Sequence, residues 1–336
     1  MEMRKRRTAV PNMRIFFIFP NSWWMFIHLL IACLLFTCKN NGDDRTPFSF
    51  DSIKASKTRS PEFLKTSDGT NLAFYSFVPD SPSGFMLFFH GGGAHSTAGY
   101  QALANSIRHR MNIAVYLMDL RGHGRSGGPR GFVSHRARIY KDIDEMLLFL
   151  MGRHPKTPMI LAGHSSGAGL ALNYTSHGSF SLDYFLFLAP ELGYKSGTAR
   201  KERNSFAEAH TAVFILNAIS GRRVCNACDA VTFKYPRQIR QQDPLLLDGI
   251  SPEMAHALTP EQPEIQFSSI RRPILILVGE DDEMIDPASL RKYMNSLDDE
   301  IRSQSTLRVV PEATHLSILE GHSWIEKINL LSPATD

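Results

Sequence analysis

Cysteine is scarce in this chain, and four residues in 336 are too few for a disulfide-based scaffold. A strongly basic surface is also missing. Residues 1–14 carry five basic residues and one acidic residue, which accounts for the whole net charge of +4, and acidic and basic residues are equally frequent after residue 38. A neutral body of roughly 280 residues does not attract a polyanion, so the composition predicts no nucleic-acid partner. That length is sufficient for one large hydrophobic core.

Asp, Glu, Lys and Arg are absent from residues 15–38, an apolar run that follows the basic cluster. Such a pair of segments is typical of an export signal or a membrane anchor, with the basic end on the cytoplasmic side. The uninterrupted part, Trp23–Thr37, is shorter than the ~20 residues that span a bilayer, whereas the run counted from Ile15 is just long enough. Length therefore leaves a cleaved signal and a retained anchor both open.

Cys38 ends this run, and the chain becomes polar immediately after it. The arrangement resembles the lipid-attachment site of bacterial lipoproteins, although Phe36 and Thr37 are larger than the residues usual there. Cys33 has better-matching neighbours, but cleavage before it would leave an apolar stretch exposed. We expect an exported, membrane-associated protein, either a lipoprotein anchored at Cys38 or a signal anchor. Plain secretion and a buried helix of a cytosolic protein are the alternatives. The polar residues 39–60 are predicted to form a tether.

From residue 61 onward, β-branched or aromatic runs alternate with helical stretches. The predicted strands are 63–66, 72–78, 85–89, 113–118, 159–163, 184–189, 274–278 and 306–310, and the predicted helices are 97–110, 138–152, 166–176, 287–298 and 316–328. Several runs are apolar at every position, which is typical of strands covered on both faces of a parallel sheet. The first two strands form a predicted antiparallel hairpin around Ser67-Asp68-Gly69. The alternation predicts a doubly wound α/β domain over 61–336.

The alternation stops between Ala189 and Ile274, where no strand-like run is present. Charged and mixed helical sequence fills this stretch. We therefore expect a helical cap at about 191–270, inserted between the sixth and seventh strands over the carboxyl edge of the sheet.

Residues 163–167 read Gly-His-Ser-Ser-Gly and match the G-x-S-x-G pattern of a nucleophilic serine. The pattern requires a strand before the serine, a sharp turn, and a helix after it. The apolar run 159–162 and the small, apolar residues that follow Gly167 meet this requirement. Ser165 is therefore predicted at the carboxyl end of a strand, where a base can reach it.

A second match to the same pattern surrounds Ser126. Most of its neighbours are glycine or serine, and Pro129 follows shortly after, so no helix can begin there. Ser126 is predicted to be a loop serine.

A serine hydroxyl needs an imidazole to take its proton and a carboxylate to orient that imidazole. Both are expected after Ser165 in the chain, on loops that follow later strands. Four acidic residues, 280–283, follow the seventh predicted strand, and His315 follows the eighth. His322 is the other histidine downstream of the acidic loop, and it falls inside the last predicted helix. His315 is therefore the predicted base.

An oxyanion requires backbone donors that can approach it closely. The sequence His90-Gly91-Gly92-Gly93 directly follows the predicted strand 85–89. Because glycine has no side chain, a backbone N–H of this turn can reach the developing charge, and the amide of Ser166 supplies a second donor.

Together these motifs make the chain resemble the α/β-hydrolase superfamily, and within it the monoacylglycerol lipase and lysophospholipase-like branch. The resemblance covers roughly residues 61–328. The segments that carry it are 88–96, 119–126, 163–167, 279–286 and 313–315. The D-x-R-G-H-G-x-S stretch that begins at Asp119 is quite specific to that branch. An eight-stranded, mostly parallel sheet with a cap between strands six and seven is the fold that the resemblance implies.

The resemblance also implies roles for single residues. It makes Ser165 the nucleophile, His315 the base, Asp282 the acid, and the amides of Gly92 and Ser166 the oxyanion donors. Asp282 is selected because the family's acid lies three residues after the glycine that ends strand seven, and Asp286 is the second choice.

Two departures from the branch concern the substrate class rather than the reaction. Gly93-Ala94 stands where an acidic residue commonly precedes the histidine, and Ser166 stands where methionine is common. The expected activity is hydrolysis of carboxylic esters through an acyl-enzyme, with a lipid, monoacylglycerol or lysophospholipid substrate. An aminopeptidase or amidase of the same fold is the alternative, and a catalytically silent binding module is a third hypothesis.

No metal ion or organic cofactor is expected. Cys225 and Cys228 form a lone C-x-x-C pair, whereas a zinc site would need two further ligands at comparable spacing. In an exported protein the pair could form a disulfide.

Overall fold

An eight-stranded β-sheet forms the centre of the molecule. In this computed structural model the described residues are Phe48, Phe50, 59–200, 206–321 and 324–327. The strands of the large sheet are β1 (Glu62–Lys65), β2 (Asn71–Phe77), β3 (Gly84–Phe89), β4 (Ile113–Met118), β5 (Met159–His164), β6 (Tyr184–Leu188), β10 (Ile274–Gly279) and β11 (Thr306–Val310). The strands β7 (Ala207–Ala209), β8 (Val231–Phe233) and β9 (Gly249–Ile250) belong to the cap.

The strands lie in the order β1-β2-β4-β3-β5-β6-β10-β11. Every neighbouring pair from β4 to β11 is parallel, and β2 runs antiparallel to both β1 and β4. The predicted mostly parallel sheet of eight strands and its opening hairpin are therefore confirmed. The order places the carboxyl ends of β3, β5, β6, β10 and β11 at one edge of the sheet.

The central strands are apolar at every position because both of their faces are covered. In β4, Tyr116 and Met118 belong to the core on one face of the sheet, whereas Val115 and Leu117 belong to the core on the other. Side chains alternate along a strand, so an uninterrupted apolar run has to fill two cores at once.

Helices cover both faces of the sheet. They are α1 (Tyr100–Met111), α2 (Ala137–Arg153), α3 (Ser166–His177), α4 (Thr211–Ile219), α5 (Arg237–Gln242), α6 (Pro252–Leu258), α7 (Pro263–Ser269), α8 (Arg291–Asn295) and α9 (Asp299–Ser303). Helix α1 contributes to the core on one face, while α2 and α3 contribute to the core on the other. Ile139, Ile143, Met146 and Leu150 recur along α2 at helical spacing and form its buried side.

The predicted last helix, 316–328, is wrong. Its described part consists of two 3₁₀ turns, Ser317–Glu320 and Ile325–Lys327. Gly321, between them, has a φ of 74°, and a left-handed residue of this kind ends a helix. His322 lies outside the described residues.

The cap between β6 and β10 is not purely helical, so the expectation that this stretch holds no strand is also wrong. Three short strands, β7 (Ala207–Ala209), β8 (Val231–Phe233) and β9 (Gly249–Ile250), form an antiparallel sheet of their own. Helices α4 to α7 make up the rest of the cap. Strands of two or three residues are too short to produce a recognisable alternation in the sequence.

Cys225 and Cys228 lie in the cap after α4, and both are free thiols. The structure therefore does not contain the disulfide considered for this pair.

The predictions for residues 1–38, including the one for Cys38, fall outside the described part of the chain. Among the described residues, no helix has the length and apolar character needed to cross a bilayer. Four residues of the predicted tether are described: Phe48, Phe50, Arg59 and Ser60. Two of them are not solvent-exposed as a tether would be, since Phe48 is only 8% exposed and Phe50 is half-buried.

Two glycines allow α3 to begin directly after β5. A Cβ at Gly163 would lie 2.3 Å from the backbone of Gly167, and a Cβ at Gly167 would lie 2.4 Å from the carbonyl oxygen of Phe89. These distances are far below van der Waals contact, and the atoms in the way are backbone atoms, which cannot move aside cheaply. The junction between strand and helix therefore requires glycine at both positions.

We expect Gly167→Ala to destabilise the protein by about 1–3 kcal/mol, because the added methyl group forces α3 away from β3. The matched control is Gly152→Ala in α2, where an added Cβ meets no atom within 4 Å. The control should gain about 0.5–1 kcal/mol from the better helix propensity of alanine. Urea unfolding followed by circular dichroism measures both changes, and equal midpoints for the two variants would contradict the packing argument.

Candidate active site

Ser165 occupies the turn between β5 and α3, and its backbone is strained. Its φ of 54° and ψ of −122° lie in a region that L-residues rarely adopt. The Ser165 N–H donates to the carbonyl oxygen of Leu188 (2.9 Å), and the Ser165 carbonyl accepts from the N–H of Glu191 (3.1 Å). Strain of this kind persists only where the surroundings enforce it, and it is concentrated at functional sites. The turn has the geometry of a nucleophile elbow.

His315 and Asp282 form a buried pair at the same edge of the sheet. His315 Nδ1 lies 2.9 Å from Asp282 Oδ2, and the two residues are 2% and 0% exposed. The other carboxylate oxygen accepts from the backbone N–H groups of Met284 and Ile285 at 2.8 and 2.7 Å. An ionised carboxylate can only accept, so the proton is on Nδ1 and Nε2 is left as the basic atom of the ring.

The charges of this pair suit a proton acceptor. Burial alone would raise the pKa of Asp282, but His315 and the backbone donors hold that pKa below its ordinary value. Burial alone would lower the pKa of His315, but the carboxylates of Asp282, Glu283 and Glu191 raise it. The acid therefore stays ionised, and it stabilises the imidazolium that forms when the ring takes a proton.

Ser165 and His315 line the same cavity. Within the described residues their side chains are not joined by a hydrogen bond, and the link between the two segments runs through His164, whose Nε2–H donates to the carbonyl oxygen of His315 at 2.9 Å. The bond between nucleophile and base is often long without substrate and shortens when substrate binds.

The glycine turn after β3 lies beside the elbow. A Cβ at Gly92 would lie 3.0 Å from Ser166 Oγ, so the backbones of the two predicted oxyanion donors are close neighbours. Neither amide N–H has an acceptor within the described residues. Both amides are therefore available to an oxygen atom bound in the cavity.

A chain of hydrogen bonds connects the glycine turn with the base. The N–H of Gly91 donates to Tyr100 Oη (2.8 Å), and the Tyr100 hydroxyl lies 3.0 Å from His164 Nδ1. Because His164 Nε2–H donates to a carbonyl, its Nδ1 is the acceptor and the tyrosine hydroxyl is the donor. Burial lowers the pKa of His164 to about 3, which keeps this ring neutral and preserves the direction of the chain.

The two alternative residues have other partners. The Ser126 hydroxyl donates to the carbonyl of Asp119 at 2.6 Å and accepts from the N–H of Ala73 at 2.8 Å, so it ties a loop together. Asp286 accepts from the N–H of Ala288 at 3.1 Å and begins the 3₁₀ turn Pro287–Leu290. Of the two candidate acids, Asp282 is the one that contacts His315.

The loop that begins at Asp119 supports the glycine turn. Asp119 is fully buried and accepts from the N–H of Ser96 at 2.7 Å and from that of Arg125 at 2.8 Å. His90, directly before the glycines, accepts from the N–H of Leu120 through Nε2 at 3.2 Å. The specific sequence of this loop therefore serves to hold the segment that carries the oxyanion donors.

A large cavity of about 1760 Å³ opens from Ser165 into the space between the sheet and the cap. Most of its lining side chains are aromatic or aliphatic. Phe214 of α4 is one of them, whereas Ile215 and Ile219 on the same helix are exposed. Within the described chain, none of the lining residues is Lys or Arg, while Glu191, Glu208 and Asp243 do line the cavity.

Sequence reasoning did not identify Tyr100, His164 and Glu283 as parts of this site. His164 and Glu283 stand next to predicted site residues, but their contacts arise from the packing of separate loops. Glu283, for example, accepts from the N–H of His315 at 2.9 Å across 32 positions of sequence. The sequence signal for His164 and Glu283 was their position next to predicted site residues.

The sheet order, the elbow and the inserted cap define an α/β hydrolase. A family model described as "Serine aminopeptidase, S33" matches residues 80–322. Since this match covers most of the chain, the protein belongs to that family, and the family resemblance expected from the motifs is confirmed.

Similar proteins agree with this assignment. The chain is 25% identical over 274 residues to a monoacylglycerol lipase of Mycolicibacterium smegmatis, in an alignment that covers 79% of this chain and 90% of that enzyme. It is 30% identical over 110 residues to human monoglyceride lipase, covering 32% of this chain and 36% of the human protein.

The fold is shared with a soluble variant of Saccharomyces cerevisiae monoglyceride lipase solved with a substrate analogue. The TM-score is 0.62 at 17% identity, over 84% of this chain and 98% of that one. With these relatives and this site, the protein is a serine ester hydrolase, which confirms the enzyme class predicted from the motifs.

Asp282→Asn should lower kcat for a short p-nitrophenyl ester by about 10³–10⁴-fold, because an amide no longer holds His315 in the required tautomer. Asp286→Asn is the matched control, since the same change there removes only a turn contact, and it should retain activity within about twofold of the wild type. Steady-state kinetics on both variants measures the difference. A larger loss in Asp286→Asn would transfer the role of the acid to that residue.

Proposed function

We propose that the protein hydrolyses monoacylglycerols, with Ser165 as the nucleophile. The observation that carries the proposal is the apolar cavity of about 1760 Å³ that opens at Ser165, which is large enough for a long acyl chain. The relatives named as monoacylglycerol or monoglyceride lipases support the same substrate class.

The charges that line the cavity favour a neutral head group over a phosphorylated one. No Lys or Arg is found among the described residues of the lining, whereas the carboxylates of Glu191, Glu208 and Asp243 are. A phosphate group would lose its hydration there without gaining a cation as partner. Glycerol carries no charge and offers hydroxyl groups that can donate to carboxylates. A monoacylglycerol therefore fits this lining better than a lysophospholipid.

In the proposed acylation step, His315 Nε2 takes the proton of the Ser165 hydroxyl while Ser165 Oγ attacks the ester carbonyl carbon. The N–H groups of Gly92 and Ser166 stabilise the oxyanion of the tetrahedral intermediate. The His315 imidazolium then gives its proton to the departing glycerol oxygen, and the acyl-enzyme remains.

In the second step, water takes the place of glycerol. His315 removes a proton from the water molecule, which attacks the acyl-enzyme, and the proton returns to Ser165 Oγ as the fatty acid leaves. Asp282 stays ionised throughout and balances the charge of the imidazolium, in keeping with its lowered pKa.

A second candidate substrate is an aminoacyl amide. The family description and the carboxylates that line the cavity favour it, because a carboxylate such as Glu191 can bind the ammonium group of a peptide amino terminus.

We predict that the purified enzyme hydrolyses 1-oleoylglycerol with a kcat/KM at least about tenfold higher than that for 1-oleoyl-lysophosphatidylglycerol, because the described lining of its cavity offers the phosphate no Lys or Arg. Fatty-acid release measures both substrates, and an aminoacyl p-nitroanilide is included in the same series. A preference for the lysophospholipid would contradict the head-group argument, and turnover of the anilide without turnover of the esters would favour the amide substrate.

We propose further that the protein is exported and associates with a membrane through its amino-terminal segment. The basic cluster and the apolar run at 15–38 support this localisation, and Cys38 is the proposed site of lipid attachment. A signal anchor that retains the apolar run is the alternative.

In a bacterial host, the wild type should incorporate an alkyne-labelled fatty acid and be found in the membrane fraction, and Cys38→Ser should abolish that incorporation. Cys33→Ser is the matched control and should keep the label. A wild type that stays in the membrane fraction without incorporating the fatty acid would favour the signal anchor, and a wild type found only in the soluble fraction would contradict membrane association.

A further inference from the structure

An aromatic residue from the segment before β1 covers the ring of the base. Phe48 stacks on His315 with ring centroids 5.4 Å apart and an angle of 19° between the planes. Phe48 precedes β1 by 14 residues, and it is only 8% exposed. The other close aromatic neighbour of His315 among the described residues is His164, at 4.8 Å and 49°.

The contacts of Phe48 continue along the cavity wall. Its ring centroid lies 5.0 Å from that of Phe206, which in turn lies 5.8 Å from that of Phe233. Phe233 packs so closely on the glycine turn that a Cβ at Gly93 would lie 2.5 Å from its ring. The three phenylalanine rings therefore form a continuous line from His315 to the loop that carries the oxyanion donors. We call this line the aromatic wall.

Phe50 widens the aromatic wall. Its ring lies 6.1 Å from that of Phe48, 6.3 Å from that of Phe206, and 5.9 Å from that of Tyr235. Phe48, Phe50, Phe206, Phe233 and Tyr235 all line the cavity that contains Ser165. Two of these five rings thus come from the segment that precedes the hydrolase fold.

The rings of Phe48 and Phe50 line the cavity without blocking it. With Phe48 and Phe50 in place, a single cavity of about 1760 Å³ still connects Ser165, His315 and the cap. A segment that blocked the site would instead separate the nucleophile from the apolar space. An apolar substrate can therefore contact the two rings without displacing them, and the contact grows with the apolar area that it buries.

We infer that Phe48 and Phe50 complete the substrate site and determine its preference for long acyl groups. The inference rests on the proposed reaction at Ser165, and it assigns a binding function to the segment that the sequence predicts to be a polar tether. Long acyl groups reach the wall and gain binding energy from it, whereas an acetyl group is too short to use it.

The test is the preference of the full-length protein for p-nitrophenyl decanoate over p-nitrophenyl acetate, expressed as a ratio of kcat/KM values. In Phe48→Ala/Phe50→Ala this ratio should fall on the order of tenfold, mainly through a higher KM for the decanoate. Phe48→Leu/Phe50→Leu, which keeps apolar contacts, should recover part of the lost preference. Phe63→Ala is the control, because Phe63 is 55% exposed on β1 and outside the cavity, and it should keep the wild-type ratio.

Each outcome decides a different point. An unchanged ratio in the double alanine variant would overturn the inference. So would an equal loss on both esters, because that pattern indicates an effect on folding or on His315 rather than on the recognition of the chain. A wild type that hydrolyses neither ester and whose Ser165 is not labelled by a fluorophosphonate would instead overturn the proposed reaction at Ser165.

Discussion

The passage from β5 into α3 takes a single residue, and the catalytic geometry depends on that junction. Ser165 is held at a φ of 54° because Gly163 and Gly167 let helix and strands approach to distances that no Cβ would permit. The strain, about 1–3 kcal/mol for such a residue, is offset by the packing of α3 on the sheet. As a result, the Ser165 side chain is exposed at the edge of the sheet, and the amide of Ser166 lies at the start of a helix, where its N–H has no acceptor among the described residues. The tight junction between β5 and α3 thus positions both the nucleophile, Ser165, and the oxyanion donor, the N–H of Ser166.

The protonation state of each buried group in the site depends on whether its hydrogen-bond and charge partners offset the cost of burying a charge. Asp282 is fully buried, yet it remains ionised because two backbone N–H groups and the His315 ring satisfy it. His164 is buried as well, and burial lowers its pKa because no carboxylate among the described residues is bonded to its ring. It therefore serves as a neutral link between Tyr100 and the backbone of His315. The ring centroids of His164 and His315 are 4.8 Å apart, yet the pKa values of the two histidines shift in opposite directions. His315 can take a proton, whereas His164 stays neutral and holds its hydrogen bonds.

Features of the fold that have a long, local sequence pattern could be predicted, whereas features without such a pattern could not. Strands such as β4, apolar at five or six consecutive positions, and the elbow around Ser165 have local signatures, and the structure shows them where they were expected. The cap strands β7 to β9 and the break at Gly321 in the predicted last helix have no such signature, and both were missed. The contact of Glu283 with His315 and that of Phe48 with the same ring depend on how distant segments pack. Periodicity along the chain carries no information on contacts of this kind.

The central claim is that Ser165, activated by His315, is the nucleophile of an ester hydrolase. Labelling with a fluorophosphonate, followed by mass spectrometry of the modified peptide, tests this claim most directly. The account predicts that the wild type and Ser126→Ala are labelled on Ser165, whereas Ser165→Ala and His315→Ala are not labelled. Equal labelling of Ser165→Ala, or a folded wild type that does not react at all, would contradict it.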